Sequence, residues 1–441
     1  MVLTAGRERI GSLLTVLCGA IFLEGVDIAM INVALPSIRA DLGLSTGTLQ
    51  WVMSAYVLGY GGFMLLGGRA ADLLGRRRMF LLWLTVFVLF SGLGAIADDG
   101  GTLIIARFVT GVAAAFMTPA GLSIITSTVP EGPVRDRALM IYAGTAAAGF
   151  SLGLVIGGVL SAIDWRWVFL APVLFALCLL AAAVRLIPRQ PRVARSARDV
   201  DVVGAVTITA ALVVLVLAVE RAPHTSFVST AAAAVVAIAL LTFFVLWERR
   251  AAQPLVRLGI LRSTRLVHAN LTTLLLAAAF FGFQFLAVLY LQEVRGWSTL
   301  ATSFAMLAIG ADAVLAPTLT PRLVARFGHR RVIVAGMLLA VLAYALFLPV
   351  GPDWGYAAMF PTMILLGVSF ALAYGPLTIT ATTGVEESEH GLASGLLYTS
   401  FQFGAALGLS AVTGALAGGF HVALVVPLIS ALIAAATALR S

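Results

Sequence analysis

Long apolar runs broken by short polar clusters dominate the chain. Val202 to Val219, Phe227 to Trp247, Leu266 to Gln292 and Val332 to Pro352 carry no Asp, Glu, Lys or Arg at all. Each is long enough to cross a hydrocarbon core of about 30 Å. A segment inside lipid must satisfy every backbone N–H and C=O within itself, so runs of this kind are predicted to be helices. The breaks divide the sequence into fourteen predicted spans, near 11–35, 48–68, 79–97, 102–128, 138–162, 167–184, 202–219, 227–247, 267–291, 299–319, 332–350, 356–383, 391–417 and 420–439. An all-α polytopic membrane protein is therefore expected. The apolar run after Arg7 and Arg9 reads as the first span and not as a removable leader, because Glu24 and Asp27 interrupt it and no small-residue cleavage site follows.

Composition agrees: 61% of 441 residues are hydrophobic and 11% charged. The net charge of +8 would suggest nucleic acid in a soluble protein, but its placement says otherwise. All 28 basic residues are arginines, and 23 of them fall on one side when alternate loops are assigned to alternate faces. Arg39, Arg166, Arg221 and Arg295 fall on the other side, and Arg107 lies within a span. By the positive-inside rule the arginine-rich face and both termini are cytoplasmic, so the charge encodes orientation, with no nucleic-acid partner implied. Cys18 and Cys178 lack any framework spacing and read as small core residues.

An internal repeat divides the chain. "GRAADLLGRRR", Gly68 to Arg78, aligns without gaps with "PRLVARFGHRR", Pro321 to Arg331. Both stand after the second span of a six-span unit, giving a 6+2+6 plan: 1–190, an inserted segment with two spans in 191–265, and 266–441. Duplicated bundles of this kind are how secondary transporters place a site at the membrane midplane. Within the turn, glycine ends a helix, arginines meet the anionic leaflet, and Asp72 is placed to latch a neighbouring helix.

The intramembrane charges are few. Glu24 and Asp27 lie three residues apart on the first span, so they share a face. Two carboxylates so close cannot both ionise cheaply, and at least one is expected to exchange a proton. Arg107 keeps its charge and is expected to act on one of those acids, as a coupling group or as a structural tie to Asp27. Asp312 stands mid-span and is expected to face the cavity. With Glu24 it would favour cationic substrates, helped by an aromatic run from Phe280 to Gln292 that includes Phe281 and Gln284, and by the mid-span polar groups of Tyr374, Tyr398 and Gln402. Tyr56 and Tyr60 are further candidates.

The motifs resemble the major facilitator superfamily, in particular its fourteen-span drug:proton antiporter group. Gly68, Asp72, Gly75, Arg76 and Arg77 match the superfamily's cytoplasmic motif, with Leu73 at a usually basic position. "DIAMINVALP" (Asp27 to Pro36) is similar to the group's first-span motif. "ARFVTG" with Arg107 resembles the fourth-span motif, with Thr110 at a frequent glutamine. Gly149, Gly153, Gly157 and Gly158 resemble the fifth-span antiporter motif, with Leu154 at its usual proline, and "DWRWVF" (Asp164 to Phe169) and Gly391 to Gly408 also look like this group.

That resemblance implies the major facilitator fold. It also implies proton-coupled efflux of lipophilic, cationic drugs or toxic compounds by alternating access; the alternative is a dedicated exporter of one endogenous metabolite or antibiotic. A monomer in the bacterial cytoplasmic membrane is expected, driven by the proton-motive force without a cofactor, with a small molecule, protons and lipid as its partners. The strip formed by Gly144, Gly149, Gly153 and Gly157 is expected to meet the tenth span across the two halves. No metal-ligand cluster, nucleophile–base set or phosphate-binding loop is legible, which argues against an enzyme or an ATP-driven pump.

Overall fold

A computed structural model describes residues 2–189, 201–221, 226–251, 254, 256–386 and 389–439. Arg192, Arg195, Arg198, Arg440 and His224, and with them the start of the inserted segment, lie outside the described residues. So do the side chains of Arg7, Arg9 and Arg221.

The helices follow the predicted spans closely. They are α1 (Val2–Leu42), α2 (Thr46–Leu74), α3 (Arg76–Ala95), α4 (Gly100–Thr128), α5 (Pro133–Ile163), α6 (Trp167–Leu186), α7 (Val202–Arg221) and α8 (Phe227–Glu248). After them come α9 (Thr264–Leu289), α10 (Thr299–Met306), α11 (Asp312–Thr318), α12 (Thr320–Phe327), α13 (His329–Phe347), α14 (Tyr356–Thr382), α15 (His390–Ala415) and α16 (Phe420–Ala438). Among the described residues thirteen stretches have the length and apolarity of a membrane crossing, and Val202–Ala218 within α7 is a shorter apolar stretch. Side-chain caps start several helices where the sequence turns polar. Thr48 N donates to Ser45 Oγ (3.1 Å) and Thr102 N to Asp99 Oδ1 (3.0 Å).

The tenth span departs from expectation. It is broken into α10, a 3-10 stretch at Leu307–Ala311, α11 and α12. Pro317 inside α11 removes a donor from the helix ladder, and Gly367 of α14 lets the Ile309 carbonyl approach its backbone closely.

Both halves use the same pairings, set by glycines that bring backbones into contact. In the first half, Gly25, Gly149, Gly153 and Gly157 join α1 to α5, while Gly59, Gly67 and Gly111 join α2 to α4. In the second half Gly404 and Gly408 join α15 to α9, and Gly367 joins α14 to the broken span. The strip of α5, Gly144, Gly149, Gly153 and Gly157, was expected to meet the tenth span; Gly144 does, and for the other three this is corrected. At Gly149 a Cβ would strike Phe22 of α1, at Gly153 it would lie 2.8 Å from Ala29 and Val26, and at Gly157 it would lie 2.7 Å from Met30. In α5 it is Gly144, nearer the arginine-rich end, that meets Ala316 of α11. Spacing defines a flat strip without naming the helix that fills it. Gly158, beside the strip, is half-buried. Cys18 is buried, but Cys178 is exposed on the outer surface of α6 and is not a core residue.

The repeated turns also correspond. Gly75 (φ +99°) and Gly328 (φ +79°) both adopt the conformation that L side chains rarely take, each ending one helix and starting the next. The arginines that follow begin α3 and α13 and reach across to the ends of neighbouring helices. Arg77 donates to the Ile187 and Val184 carbonyls at the end of α6 (2.9 and 2.8 Å), and Arg330 donates to the Leu439 carbonyl at the end of α16. Each places positive charge at a helix C-terminus, where unpaired carbonyls and the dipole favour it.

The inserted helices α7 and α8 pack on each other, and α7 lies against both α2 and α15. Val213 and Val216 of α7 fit the notch left by Gly62 and Gly61. α7 therefore straddles one edge of the boundary between the halves.

Candidate functional site

The acids that stood out in the first span converge on a buried cluster between α1, α2 and α4. Glu24, Asp27 and Arg107 are each only 2% exposed. Asp27 and Arg107 form an ion pair, Nη1 to Oδ2 at 2.6 Å, so the structural tie between them is real in this state. The Arg107 guanidinium also lies over the Tyr56 ring, 4.3 Å from its centroid. A buried charge pair is costly to desolvate, and removing one partner strands the other; about 3–5 kcal/mol is the usual penalty.

Glu24 is held differently. It accepts from the Thr118 hydroxyl and from the Tyr60 hydroxyl (3.4 Å), and the Tyr60 and Thr118 oxygens are themselves 3.2 Å apart. Tyr142 of α5 donates to the Thr118 carbonyl (3.2 Å). The Tyr142 hydroxyl interacts with that of Tyr398 on α15, which also engages Tyr374 on α14, so a set of hydroxyls continues from the Glu24 cluster into the second half. Sequence reasoning singled out Tyr374 and Tyr398 but missed Thr118 and Tyr142. Thr118, mid-span before Pro119, was the available signal.

The second half supplies aromatics. Phe281 packs edge-to-face with Phe150, Phe280 and Phe401, and Tyr374 packs against Phe401 at 5.0 Å. A small crevice beside them, between α5, α9 and α10, is lined by Phe150, Ser151, Leu154, Gln284 and Met306. Gln402 is half-buried next to Phe401. Asp312, expected to face the cavity, is buried at the start of α11, where its Oδ1 accepts from Ala313 N (2.8 Å) of its own turn.

At the arginine-rich end the halves meet. Gly68 and Gly391 are in backbone contact, and Gly395 lies against Met64. Asp72 accepts from Gly391 N (3.1 Å) and Leu392 N (3.0 Å) at the start of α15, with Arg76 3.6 Å away. The latch expected of Asp72 thus has a partner: the N-terminus of α15. Met140 against Gly375 and Asp136 against His329 (3.7 Å) close the same end further.

A deep, buried carboxylate–arginine cluster in one half, aromatics in the other and a latch between them at one end suit a carrier better than an enzyme. Among the described residues no group of three or more His, Cys, Asp or Glu could hold a metal. The puromycin resistance protein pur8 of Streptomyces alboniger is 34% identical over 403 residues, 90% of this chain and 80% of that protein. The cephamycin export protein CmcT of Amycolatopsis lactamdurans is 35% identical over 411 residues, 90% of this chain and 83% of that one. In fold, the human organic anion transporter MFSD10 superposes with a TM-score of 0.71 at 15% identity, covering 97% of this chain and 99% of its own. The sequence profile of the Major Facilitator Superfamily matches residues 17–409, and with the fold and these relatives it follows that this multi-pass membrane chain belongs to that superfamily of transporters.

Proposed function

We propose that the chain is a proton-driven exporter of lipophilic small molecules, working as a monomer in the bacterial cytoplasmic membrane with both termini inside. Two six-helix halves, 1–190 and 266–441, rock about the buried cluster, and 191–265 contributes an inserted helix pair. The observation that carries this reading is the Asp27–Arg107 ion pair buried beside Glu24. Protonating Asp27 removes the charge that holds Arg107, and protonating Glu24 turns an acceptor of two hydroxyls into a donor. Either change reorders contacts between α1 and the α2/α4 pair. The α2 helix ends in the Asp72 latch, so the charge state of the cluster and closure of the arginine-rich end share one rigid element. The free energy comes from the proton gradient, without a cofactor.

In inverted vesicles, Asp27→Asn should reduce pH-gradient-driven accumulation of substrate to background. Unchanged accumulation together with unchanged proton countermovement would remove Asp27 from the mechanism. A second reading, an exporter dedicated to one compound, is favoured by the names of relatives such as pur8 and CmcT, each tied to a single antibiotic or antibiotic class. A panel of chemically unrelated compounds separates the two: proton movement triggered by several of them supports the broad reading.

A further inference from the structure

We propose that Glu24, and not Asp27, is the acid that exchanges the proton, and that the Thr118 hydroxyl is the positioning group that lets it do so without stranding a hydrogen bond. This rests on the exporter reading and names the residues that handle its proton. The two acids lie one turn apart on α1 and are equally buried, but their partners differ in kind. A guanidinium only donates, and Arg107 Nη1 is 2.6 Å from Asp27 Oδ2. A proton added to Asp27 would leave a buried cation without its counter-charge, which is the costly way to break such a pair. Asp27 is therefore the fixed counter-ion that ties α1 to α4.

Glu24 faces hydroxyls, and a hydroxyl both donates and accepts. The Thr118 oxygen contacts Glu24 Oε2 and also lies 3.0 Å from the Ala114 carbonyl, one turn back along α4. Its single proton can serve one of these at a time. The Tyr60 hydroxyl has a similar choice, 3.4 Å from Glu24 Oε2 and 3.2 Å from the Thr118 oxygen. One set of heavy-atom positions thus admits two complete arrangements. With Glu24 ionised, Thr118 and Tyr60 both donate to its carboxylate. With Glu24 protonated, its O–H donates to the Thr118 oxygen, the Thr118 O–H turns to the Ala114 carbonyl, and the Tyr60 O–H turns to the Thr118 oxygen, filling both its lone pairs. The proton taken up forms one O–H bond on Glu24, while Thr118 and Tyr60 keep their own protons and only rotate them. Neither state leaves a buried hydroxyl without a partner, so passing between them costs little. The other ionisable groups around Glu24 are Tyr56 and Tyr60 on α2, Tyr142 on α5, Tyr374 on α14 and Tyr398 on α15, with Asp27 and Arg107 beside them. Phenols keep their protons near neutral pH and arginine keeps its charge, which leaves Glu24 to titrate.

Infrared difference spectra of the purified full chain, taken between acidic and alkaline buffer, test this. One carboxylic-acid C=O band should be lost in Glu24→Gln. A measurement that needs no substitution stands beside it: in the unsubstituted protein a heavy-carbon label in the glutamate side-chain carboxyls should shift that band, and the same label in aspartate should leave it in place. Thr118→Val, close in shape but without the hydroxyl, should move the band to higher frequency, because the protonated acid loses its acceptor, and Thr118→Ser, which keeps the hydroxyl, should return it. A role for Thr118 in packing alone would not move the band. No band lost in Glu24→Gln, a band that follows the aspartate label and vanishes in Asp27→Asn, or a Glu24 band unmoved by Thr118→Val would each overturn the proposal. Proton movement in proteoliposomes, triggered by a panel of chemically unrelated compounds, is read separately. The expected spectra without any proton movement would sink the exporter reading and leave Glu24 as the exchanging group, whereas proton movement without the Glu24 band would do the reverse.

Discussion

Replacing Asp72 by Asn tests the latch directly. In the closed arrangement its fully buried carboxylate takes two N–H bonds, at 3.1 and 3.0 Å, from the first turn of α15, with Arg76 3.6 Å away. Hydrogen bonds to a charged group contribute about 1.5–3 kcal/mol and those to a neutral one about 1, and charge at a helix N-terminus adds about 0.3–2. Asparagine keeps one acceptor, loses the charge, and turns an amide N–H₂ toward a backbone N–H. Against this, an uncharged side chain is cheaper to bury, which leaves a net loss of about 2 kcal/mol from the closed state, or a shift of about 30-fold toward opening. The reporter is Ser394→Cys on α15, fully buried in this state, in a background with Cys18 and Cys178 replaced. A membrane-impermeant maleimide added to inverted vesicles should label it about 30-fold faster in Asp72→Asn, provided opening is fast relative to labelling. Labelling within twofold of the parent, in a protein with unchanged Tm, would show that Asp72 does not hold the halves together.

Other consequences follow from particular contacts. Gly153→Leu would push a Cβ to 2.8 Å from Ala29 and Val26, so it should lower Tm by the overpacking cost of about 1–3 kcal/mol, while Gly414→Leu, which meets nothing within 4 Å, should not; equal effects would refute the α1–α5 contact. Near the opposite end, hydrogen bonds from the Trp165 indole and from Arg166, each at 2.9 Å, hold the Asp41 carboxyl below its ordinary value of 3.8. Because the folded value is the lower one, the stabilisation is present above 3.8 and lost as pH falls through the folded value. Asp41→Asn should therefore lower Tm at pH 7, with the gap closing as pH drops below about 4; a pH-independent gap would refute it. A reporter fused after Arg221 should be outside and one after Arg189 inside, and matching locations would rule out the inserted pair.

Much of the fold was legible because lipid leaves a chain few choices. Each crossing needs about twenty apolar residues, and arginines mark the ends. Glu24, Asp27 and Arg107 stood out for the same reason, since a charge in such a run needs an explanation. What the sequence could not convey was partnership. Gly149, Gly153 and Gly157 announce a close approach, but Phe22, Val26 and Met30 of α1 fill it, and nothing in the spacing distinguishes them from the tenth span. Arg77 read as a topology signal, while its contact with Val184 and Ile187 depends on α6 returning beside α3, more than a hundred residues later. The break in the tenth span was signalled by Gly310 and Pro317, but its position follows from how closely Gly367 admits Ile309.

The two halves share a plan and fill it with different chemistry. In the first half α1/α5 and α2/α4 are each closed by glycine-mediated backbone contact, while the polar contacts of the site span the seam between the pairs: Asp27 to Arg107, Glu24 to Thr118 and Tyr60, Tyr142 to the Thr118 carbonyl. In the second half α9/α15 and the broken span with α14 are closed in the same way, and their seam holds rings: Phe280 against Phe370 at 4.6 Å, Tyr374 against Phe401 at 5.0 Å. Backbone contacts through glycine and phenylalanine rings carry no titratable group, whereas protonation of Glu24 or Asp27 would change the bonding across their seam. On the exporter reading, the proton is therefore received by the first half and the lipophilic substrate by the second. Several groups touch both, among them the Tyr142–Tyr398, Phe150–Phe281 and Gly144–Ala316 contacts and the α2 helix ending at Asp72. A substitution there, as opposed to one inside either seam, should separate proton exchange from substrate movement while leaving each event intact by itself.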